Sequence, residues 1–574
     1  ETWRDLGVNG SSLPIRQSTF RDDSVFLATG NGVLAGSLNT NLLNFANWKR
    51  FNLGVFNATV PVITTFNNKI YTGINGAGLF AYDQGQWTLQ HLSGESFNAL
   101  AASVNLWIAT TGKVWQVSAN NVLSELTNSK ITVPLAVNES GPGMVWIGDA
   151  RNGLFTGNGE TYVPNGPTFS ETFRLSRDGF NQVYAMSGGY TATFTPAGKN
   201  ELINSFTGGV WRTENNLLSQ DVTDVAFEGV TTYVATFGNG LQVIENNQAV
   251  TYTTGNSPLL SNRITTLAAS TDGLWVTAYG NSPSLYLLKP DKTWEPITLP
   301  YSGAQFPLQM ITDQLGQVWV ALNPQLGGGL VVYSHKDNRS VLLTEANGAG
   351  ALPSRQVYAL SADRNGQVWV GTAAGVAYFP NPAQVFSGTV NAVRPIINGR
   401  FLLRDETVTA IAVDGGNRKW LGTQRGAWLV NPFGEEEIYR FNTANSPLPE
   451  DRIADIEVHP VSGEVFFATS KGIVSFRSTA TQGEATFSEI RIFPNPVTAD
   501  FTGLVSITGL TTDAHVKITD ISGKLIWQTR ASGGSATWNV RDYNGRRAAT
   551  GIYLVIAVAE DGSHSIIGKV AVVN

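Results

Sequence analysis

Residues 362–379 read ADRNGQVWVGTAAGVAYF, and the reading of this stretch decides the fold. It divides into two short strands and their turns. Asp363 opens an Asp-x-x-Gly turn that ends at Gly366. An aspartate side chain can cap the backbone of such a turn, and glycine takes the positive φ that other residues resist. Val368-Trp369-Val370 follows, then Gly371-Thr372, a small-residue turn ending at Gly375, and Val376-Ala377-Tyr378-Phe379. Short β-branched and aromatic runs between glycine turns are strand signals.

The unit is repeated along the chain. Aligned on the aromatic of the first strand, copies sit at Phe26, Tyr71, Trp107, Trp146, Tyr184, Tyr233, Trp275, Trp319, Trp369, Trp420 and Phe466. These eleven aromatics are spaced 36 to 51 residues apart, which is the period of propeller blades with about four strands each. The copy at Tyr184, VYAMSGGYTATF, is read in the same register as the others. Asp178, Asp313, Asp363 and Asp414 each precede their aromatic by six residues. Recurrence by position marks the aspartate as a turn cap rather than an acid–base group. It marks the aromatic as inter-blade core rather than a sugar platform.

Propellers usually carry about four to eight blades, so eleven units exceed one ring. The expected fold is all-β, with seven-bladed β-propeller(s) followed by a C-terminal seven-stranded β-sandwich. Residues 1–169 read as the C-terminal part, about four blades, of a first propeller. Residues 170–480 read as a second, seven-bladed propeller, and 481–574 as the sandwich. An arc of four blades leaves sheet edges open, so further blades before Glu1 are expected. The small polar run Arg477-Ser478-Thr479-Ala480-Thr481-Gln482-Gly483 reads as a linker. Beyond it, strands are expected at 490–493, 504–507, 515–519, 524–529, 536–540, 552–559 and 566–573.

Composition narrows the function classes. A chain of 574 residues exceeds what one hydrophobic core supports. Charged residues are 14%, against about 25% in an average soluble protein. The net charge of −6 gives no basic footprint for nucleic acid. The absence of cysteine excludes disulfides, thiolate metal sites and cysteine nucleophiles. No apolar run approaches the roughly 20 residues of a spanning helix.

A search for chemistry leaves no catalytic constellation. His91, His335, His459, His515 and His564 are scattered, and no zinc-protease, nucleophile-elbow or phosphate-loop signature stands in a suitable context. Gly327-Gly328-Gly329 could cradle a phosphate, but no helix or lysine follows and a widened hairpin is the better reading. Glu435-Glu436-Glu437 lacks the alternating ligands of a calcium loop and reads as a solvated turn. Trp115, Trp211 and Trp294 lie outside the repeat position, where core or rim packing is still favoured over ligand contact. No enzyme activity, metal or cofactor is expected.

The far end of the chain is more specific. FPNPV at 493–497 opens the last domain, VKITDISGKLIW follows at 516–527, and GGSATWNVRDYNGRRAATGIYLVI runs over 533–556. The two prolines around Asn495 should hold the start of the domain extended. Ser522-Gly523 and Asn544-Gly545 turn hairpins, and Gly551 admits the strand that carries Tyr553. Together these motifs resemble the type A C-terminal sorting domains of the bacterial type IX secretion system. The blades resemble the regulator-type propellers of two-component sensors in Bacteroidota.

The resemblance implies a surface component of that secretion system, on the outer face of the outer membrane and not spanning it. Implied partners are the sortase PorU with PorV and PorQ, and an anionic lipopolysaccharide that is bound and delivered to PorU for attachment to cargo. It also implies a terminal domain that is retained, where cargo loses it. Phe493, Pro494, Asn495, Pro496, Gly523, Lys524, Gly551, Tyr553 and Lys569 match the sorting pattern, as partner-facing residues or as turn and core residues. Lys517, Lys524, Arg530, Arg541, Arg546 and Arg547 are the cations available to an anionic glycan. The alternatives are a propeller sensor for an extracellular oligosaccharide, and a secreted propeller enzyme exported by the same signal.

Overall fold

The computed structural model describes residues 6, 12–162, 165–214, 217 and 220–574. The chain divides into two compact units, Glu1–Asn165 and Gly166–Asn574. Strands and short connections build both, with isolated single turns of 3-10 helix.

In the first unit the described residues form four antiparallel four-stranded sheets, whose leading strands are Ile15–Arg21, Val62–Phe66, Phe97–Ala102 and Pro134–Gly141. Phe26, Tyr71 and Trp107 are buried where one sheet packs on the next. Trp146 of the fourth sheet is only half-buried, lies 4.9 Å from Tyr162 and donates from Nε1 to Ser140 Oγ at 2.9 Å. On the first sheet, Ile15, Phe20, Leu27, Leu42 and Trp48 line an apolar cavity of about 320 Å³.

The second unit holds seven successive antiparallel sheets of three or four strands among its described residues before the terminal domain. Their innermost strands are Arg174–Arg177, Val222–Glu228, Ile264–Ser270, Pro307–Thr312, Val357–Ala362, Val408–Val413 and Asp455–Val458. Each of these strands lies against the innermost strand of the next sheet, and the last lies against the first. Closure joins residues 280 apart: Asp455 Oδ2 accepts from Leu175 N at 2.9 Å, and Arg177 Nε lies 3.3 Å from Glu457 Oε1. Phe466 of the last sheet packs on Phe206 and Trp211 of the first. The wall between sheets is apolar, and Trp275, Trp319, Trp369 and Trp420 are completely buried in it.

The turn aspartates explain the six-residue spacing. Asp313 Oδ1 accepts from the backbone of Leu315 and Gln317, both at 2.9 Å, while Oδ2 accepts from Trp319 Nε1 at 2.9 Å. Asp363 repeats the arrangement with Asn365, Gln367 and Trp369. At Asp178 the ring partner is the Tyr184 hydroxyl. At Asp414, Arg418 Nε takes the second oxygen at 2.8 Å. At Asp178, Asp313 and Asp363 one carboxylate thus closes a turn and holds the blade aromatic.

One copy departs from the expected register. The strand of Tyr184, Val183–Met186, pairs with Asn204–Thr207, so TATF is not its returning strand. Residues 187–203 instead form a long connection, where the matching connection in the next sheet spans only residues 237–239. The glycine pair that signalled a hairpin does not turn the chain back there: Gly188 is packed tightly against the Asp221–Val222 backbone.

The terminal domain packs a sheet of Arg491–Phe493, Val505–Thr508 and Ser535–Trp538 against one of His515–Asp520, Leu525–Arg530, Gly551–Val558 and Ser565–Val572. These seven strands fall within two residues of the expected positions at every boundary. Val505, Ile507, Val516, Ile518, Trp538, Val555 and Val570 fill the space between the sheets. The turns at Gly523 and Gly545 reuse the propeller's device: Asp520 and Asp542 each accept from the backbone two and four residues on.

Two expectations need correction. Residues 494–496 form successive bends after the strand that ends at Phe493, so the start of the domain is not simply extended. Nor is 477–483 a free linker. Ser478 and Ala480 are buried, Arg418 donates to Ser478 Oγ and Thr479 Oγ1, and Gln482 N donates to Pro460 O.

Candidate functional site

The matched sorting residues fall on two regions of the terminal domain. Asn495 is structural: its Nδ2 donates to Lys569 O at 2.9 Å and its Oδ1 accepts from Ala571 N at 3.0 Å. It thereby ties the FPNP segment to the edge strand Ser565–Val572, which Val497 continues through bonds to Ala571 and Val573. Tyr553 is buried, packs 5.5 Å from Trp538 and donates to Ala549 O at 2.8 Å. Gly523 takes its turn with φ of 85°. Pro496, Lys524, Gly551 and Lys569 are exposed, and Phe493 is 76% exposed, an unusual state for a phenylalanine. Pro494 is half-buried.

The six candidate cations divide by what their heads already do. Arg547 is committed within the domain, donating to Thr498 O, Phe501 O and Asn574 Oδ1. Arg541 donates to Gly545 O, and Arg530 contacts Glu560 and His515. Lys517, Lys524 and Arg546 are exposed and form no ion pair among the described residues. Lys517 shares a cross-strand row with Ile556 and Ile567, and Lys569 one with Leu554, on the outer face of the four-stranded sheet.

A cleft of about 1010 Å³ separates this domain from the propeller within the second unit, lined by Tyr439, Val461, Arg477, Arg491, Phe493 and Leu504 among others. At its base the contact is close. A Cβ on Gly415 would lie 1.9 Å from Thr481 O, and one on Gly533 would lie 2.0 Å from the same atom. Gly534 N donates to Thr481 O at 2.8 Å, and Ser535 Oγ donates to Thr479 O at 2.8 Å. These glycines allow backbone to meet backbone.

The channel of the second unit carries the other concentration of polar groups, none signalled by a sequence motif. Asp224 accepts from Arg174 at 3.0 Å, Thr266 Oγ1 at 2.9 Å and Leu267 N at 3.0 Å. Burial pushes Asp455 up to about 6 and Glu457 up to about 7, against the pull of Arg174 and Arg177. Where the innermost strands begin, a cavity of about 560 Å³ opens, lined by Thr172, Arg174, Tyr190, Phe194, Gln309 and Tyr358 among others. Burial pushes the Tyr190 hydroxyl up to about 12, with Arg174 opposing. Among the described residues, no cluster of acids and histidines is placed to hold a metal, and no helix is long and apolar enough to cross a membrane.

The tryptophans outside the repeat are packing residues. Trp115 donates to Thr110 Oγ1, Trp211 lies against Phe206 and Phe466, and Trp294 packs edge-on to Tyr252. Gly327–Gly329 close a loop, with Gly329 N donating to Arg355 O, and Glu437 begins the strand Glu437–Phe441.

Comparison with known proteins gives two partial family matches. A family described as the secretion system C-terminal sorting domain matches residues 491–572, and the two component regulator propeller family matches 351–374. No curated protein sequence matches the chain. Among solved structures it is similar to PorZ, described as an essential surface component of the type-IX secretion system of Porphyromonas gingivalis. That likeness has a TM-score of 0.75 at 21% identity, covering 98% of this chain and 82% of that one. The extracellular domain of a hybrid two component system, BT4673 from B. thetaiotaomicron, matches at a TM-score of 0.43 and 15% identity, over 98% of this chain and 86% of that one. The chain therefore has a PorZ-like fold ending in a secretion sorting domain.

Proposed function

We propose that this chain is a non-enzymatic surface component of the type IX secretion machinery that binds anionic lipopolysaccharide and delivers it to the sortase PorU. PorV and PorQ would be its companions on the outer face of the outer membrane. The observation that carries the reading is the sorting domain at 491–572, joined to a fold that follows PorZ over nearly the whole chain. On this reading, residues 1–169 belong to a first propeller, 170–480 form a second, seven-bladed one, and 481–574 are the retained sorting domain.

The buried junction supports retention. Residues 478–482 are bonded to both the propeller and the domain, so a processing enzyme would have to unpick folded structure to cut there. Phe493, Pro494, Gly551 and Lys569 are then the partner-facing part of the sorting pattern, while Asn495, Gly523 and Tyr553 hold the domain together. Lys517, Lys524 and Arg546 are the cations free to meet an anionic glycan.

The test is retention of the full chain on immobilised anionic lipopolysaccharide against a neutral form. The anionic form should hold it more strongly, and the triple substitution of Lys517, Lys524 and Arg546 by alanine should remove that preference. Equal retention of both forms by the unaltered protein would overturn the reading.

A further inference from the structure

We propose that the outer edge of the second unit's seventh sheet is a docking site for an extended peptide, acidic at its N-terminal end, that adds to the sheet as a fourth strand. Five of the seven sheets carry such a strand, antiparallel to the third and drawn from the chain itself, as Glu437–Phe441 is in the sixth. The fifth sheet stops at three, but its edge is met by Val393, which exchanges both backbone bonds with Tyr378 at 2.8 and 2.9 Å. The seventh also stops at three, on Gly472–Arg477. Among the described residues nothing pairs with that edge.

The ladder fixes which backbone groups are free. Ser478 N donates to Gly463 O at 2.9 Å, and the pairing runs without a bulge from there to the turn between Thr469 and Gly472. In an antiparallel pair, hydrogen-bonded and non-bonded positions alternate. Gly472, Val474 and Phe476 therefore turn N–H and C=O towards the strand Glu464–Thr469, whereas those of Ile473, Ser475 and Arg477 point outward. The strand is also accessible: Ser475 and Arg477 are exposed and the rest half-buried, while the third strand of the fourth sheet, Leu330–Ser334, which has a fourth beside it, is wholly buried. An open edge without proline is a template for another strand.

The surroundings describe the partner. In the sixth sheet, Tyr439 and Phe441 of the fourth strand pack on Phe476 of the seventh, at 5.7 and 5.0 Å. The seventh sheet turns Ile473 towards Phe206 and half-buried Trp211 of the first, so an added strand needs alternating apolar residues to continue that wall. Lys471 and Arg477, at the two ends of the edge, form no ion pair among the described residues. Glu464, opposite Arg477 in the ladder, accepts from Ser475 Oγ at 2.6 Å instead. An antiparallel strand brings its N-terminal end to Arg477, where acids are favoured. A second copy pairing through the same edge would set Arg477 against Lys471, like charge on like. Beyond Arg477 the edge opens into the cleft of about 1010 Å³, where Phe493 and Leu504 of the terminal domain stand exposed. The segment that precedes the added strand runs into that cleft.

The test uses the full chain and a labelled, end-blocked peptide with the sequence of residues 435–442, EEEIYRFN, which holds such a strand in the sixth sheet, read by fluorescence anisotropy. It should bind, and KKKIYRFN should bind at least about fivefold more weakly. Ser475→Pro removes an outward N–H without touching the ladder to Glu464–Thr469, so the sheet should survive, as thermal melts check; it should weaken binding at least about tenfold. Methylating the peptide nitrogens on alternate residues, at the positions of Ile438 and Arg440 or of Tyr439 and Phe441, should abolish binding in one set and spare it in the other. No binding of EEEIYRFN, unchanged binding to the Ser475→Pro chain, equal binding of EEEIYRFN and KKKIYRFN, or equal binding of the two methylated sets would overturn the proposal. A dimer of the chain without peptide that Ser475→Pro dissolves would give the edge to a second copy and overturn it too. The site uses none of Lys517, Lys524 and Arg546, so each outcome leaves the lipopolysaccharide reading to its own test.

Discussion

Replacing Lys419 by methionine tests whether the second unit depends on a charge pair sealed between its fifth and sixth sheets. Both side chains of the Lys419–Asp363 pair are fully buried, with Nζ 2.8 Å from Asp363 Oδ2. Nζ also donates to the carbonyls of Asn417 at 2.8 Å and Pro432 at 2.7 Å, and lies 4.7 Å from the centre of the Trp369 ring. Burial draws the lysine's pKa down and the aspartate holds it up. Methionine is of similar length and flexible enough to fill the space, so the loss is mainly electrostatic. It leaves the Asp363 Oδ2 with Trp369 Nε1, at 3.2 Å, as its donor, and strips two carbonyls of theirs. Removing one partner of a buried pair costs about 3–5 kcal/mol, or between about two and four powers of ten in an equilibrium constant. With two compact units in the chain, global unfolding is not one transition. The assay is therefore native-state amide exchange in the strands Val368–Thr372 and Lys419–Thr423. Adding Asp363→Asn removes the stranded charge while keeping an oxygen to cap the turn, and should recover about 1–2 kcal/mol. Exchange in K419M within about fivefold of the unaltered protein, roughly 1 kcal/mol, would refute the argument.

Three further outcomes are expected. Asp455 and Glu457 titrate near 6 and 7 in the folded chain but near about 4 when unfolded, so the folded state holds the extra protons between those values. Their contribution to stability is fully present below about pH 4 and is lost as the pH rises through 6 and 7; Glu457→Gln should flatten the upper part of that slope in pH-dependent melts, and an unchanged slope would count against it. Asp313→Ala should cost about 2–3 kcal/mol, because it opens a turn and orphans the buried Trp319 Nε1, whereas Asp520→Ala on an exposed turn should cost under about 1 kcal/mol; equal losses in denaturant titrations would show that the ring bond is unimportant. Gly415→Val should separate the terminal domain from the propeller, since even a Cβ would sit 1.9 Å from Thr481 O, and limited proteolysis should then release a terminal fragment that the unaltered chain does not yield.

What the sequence revealed and what it hid follow from the range of the interactions. The Asp–aromatic repeat was legible because its whole mechanism spans six residues: a cap at i+2 and i+4, then a ring bond at i+6. The strands of the terminal domain were legible for the same reason, through alternating apolar residues and glycine turns. Ring closure was not, because Asp455 finds Leu175 across 280 positions and neither residue looks unusual locally. The long connection 187–203 was hidden by its own glycines, which imitate a hairpin until the packing of Gly188 against the next sheet is seen. Of the six cations counted on the terminal domain, Arg547 already spends its guanidinium on two carbonyls and an asparagine. Sequence reports a charge and not its occupation. The channel cavity had no signature at all, since Gln309 and Tyr358 come from two separate sheets and Thr172 from the connection before a third.

The run 477–483 carries the most consequence for function. Read as small and polar, it suggested a tether, and a tethered sorting domain is a detachable label. Folded, it is the seam itself: Thr481 O meets Gly533 and Gly534 of the domain while the propeller's Gly415 closes on it from the other side. Ser478 and Thr479 are gripped by Arg418, whose own Nε holds the Asp414 turn cap. The repeat that builds the blades therefore also anchors the domain, through the sixth blade's turn. A domain fixed at this point presents Phe493, Pro494 and the cleft beside them in one orientation to any partner. A mobile label could not do that.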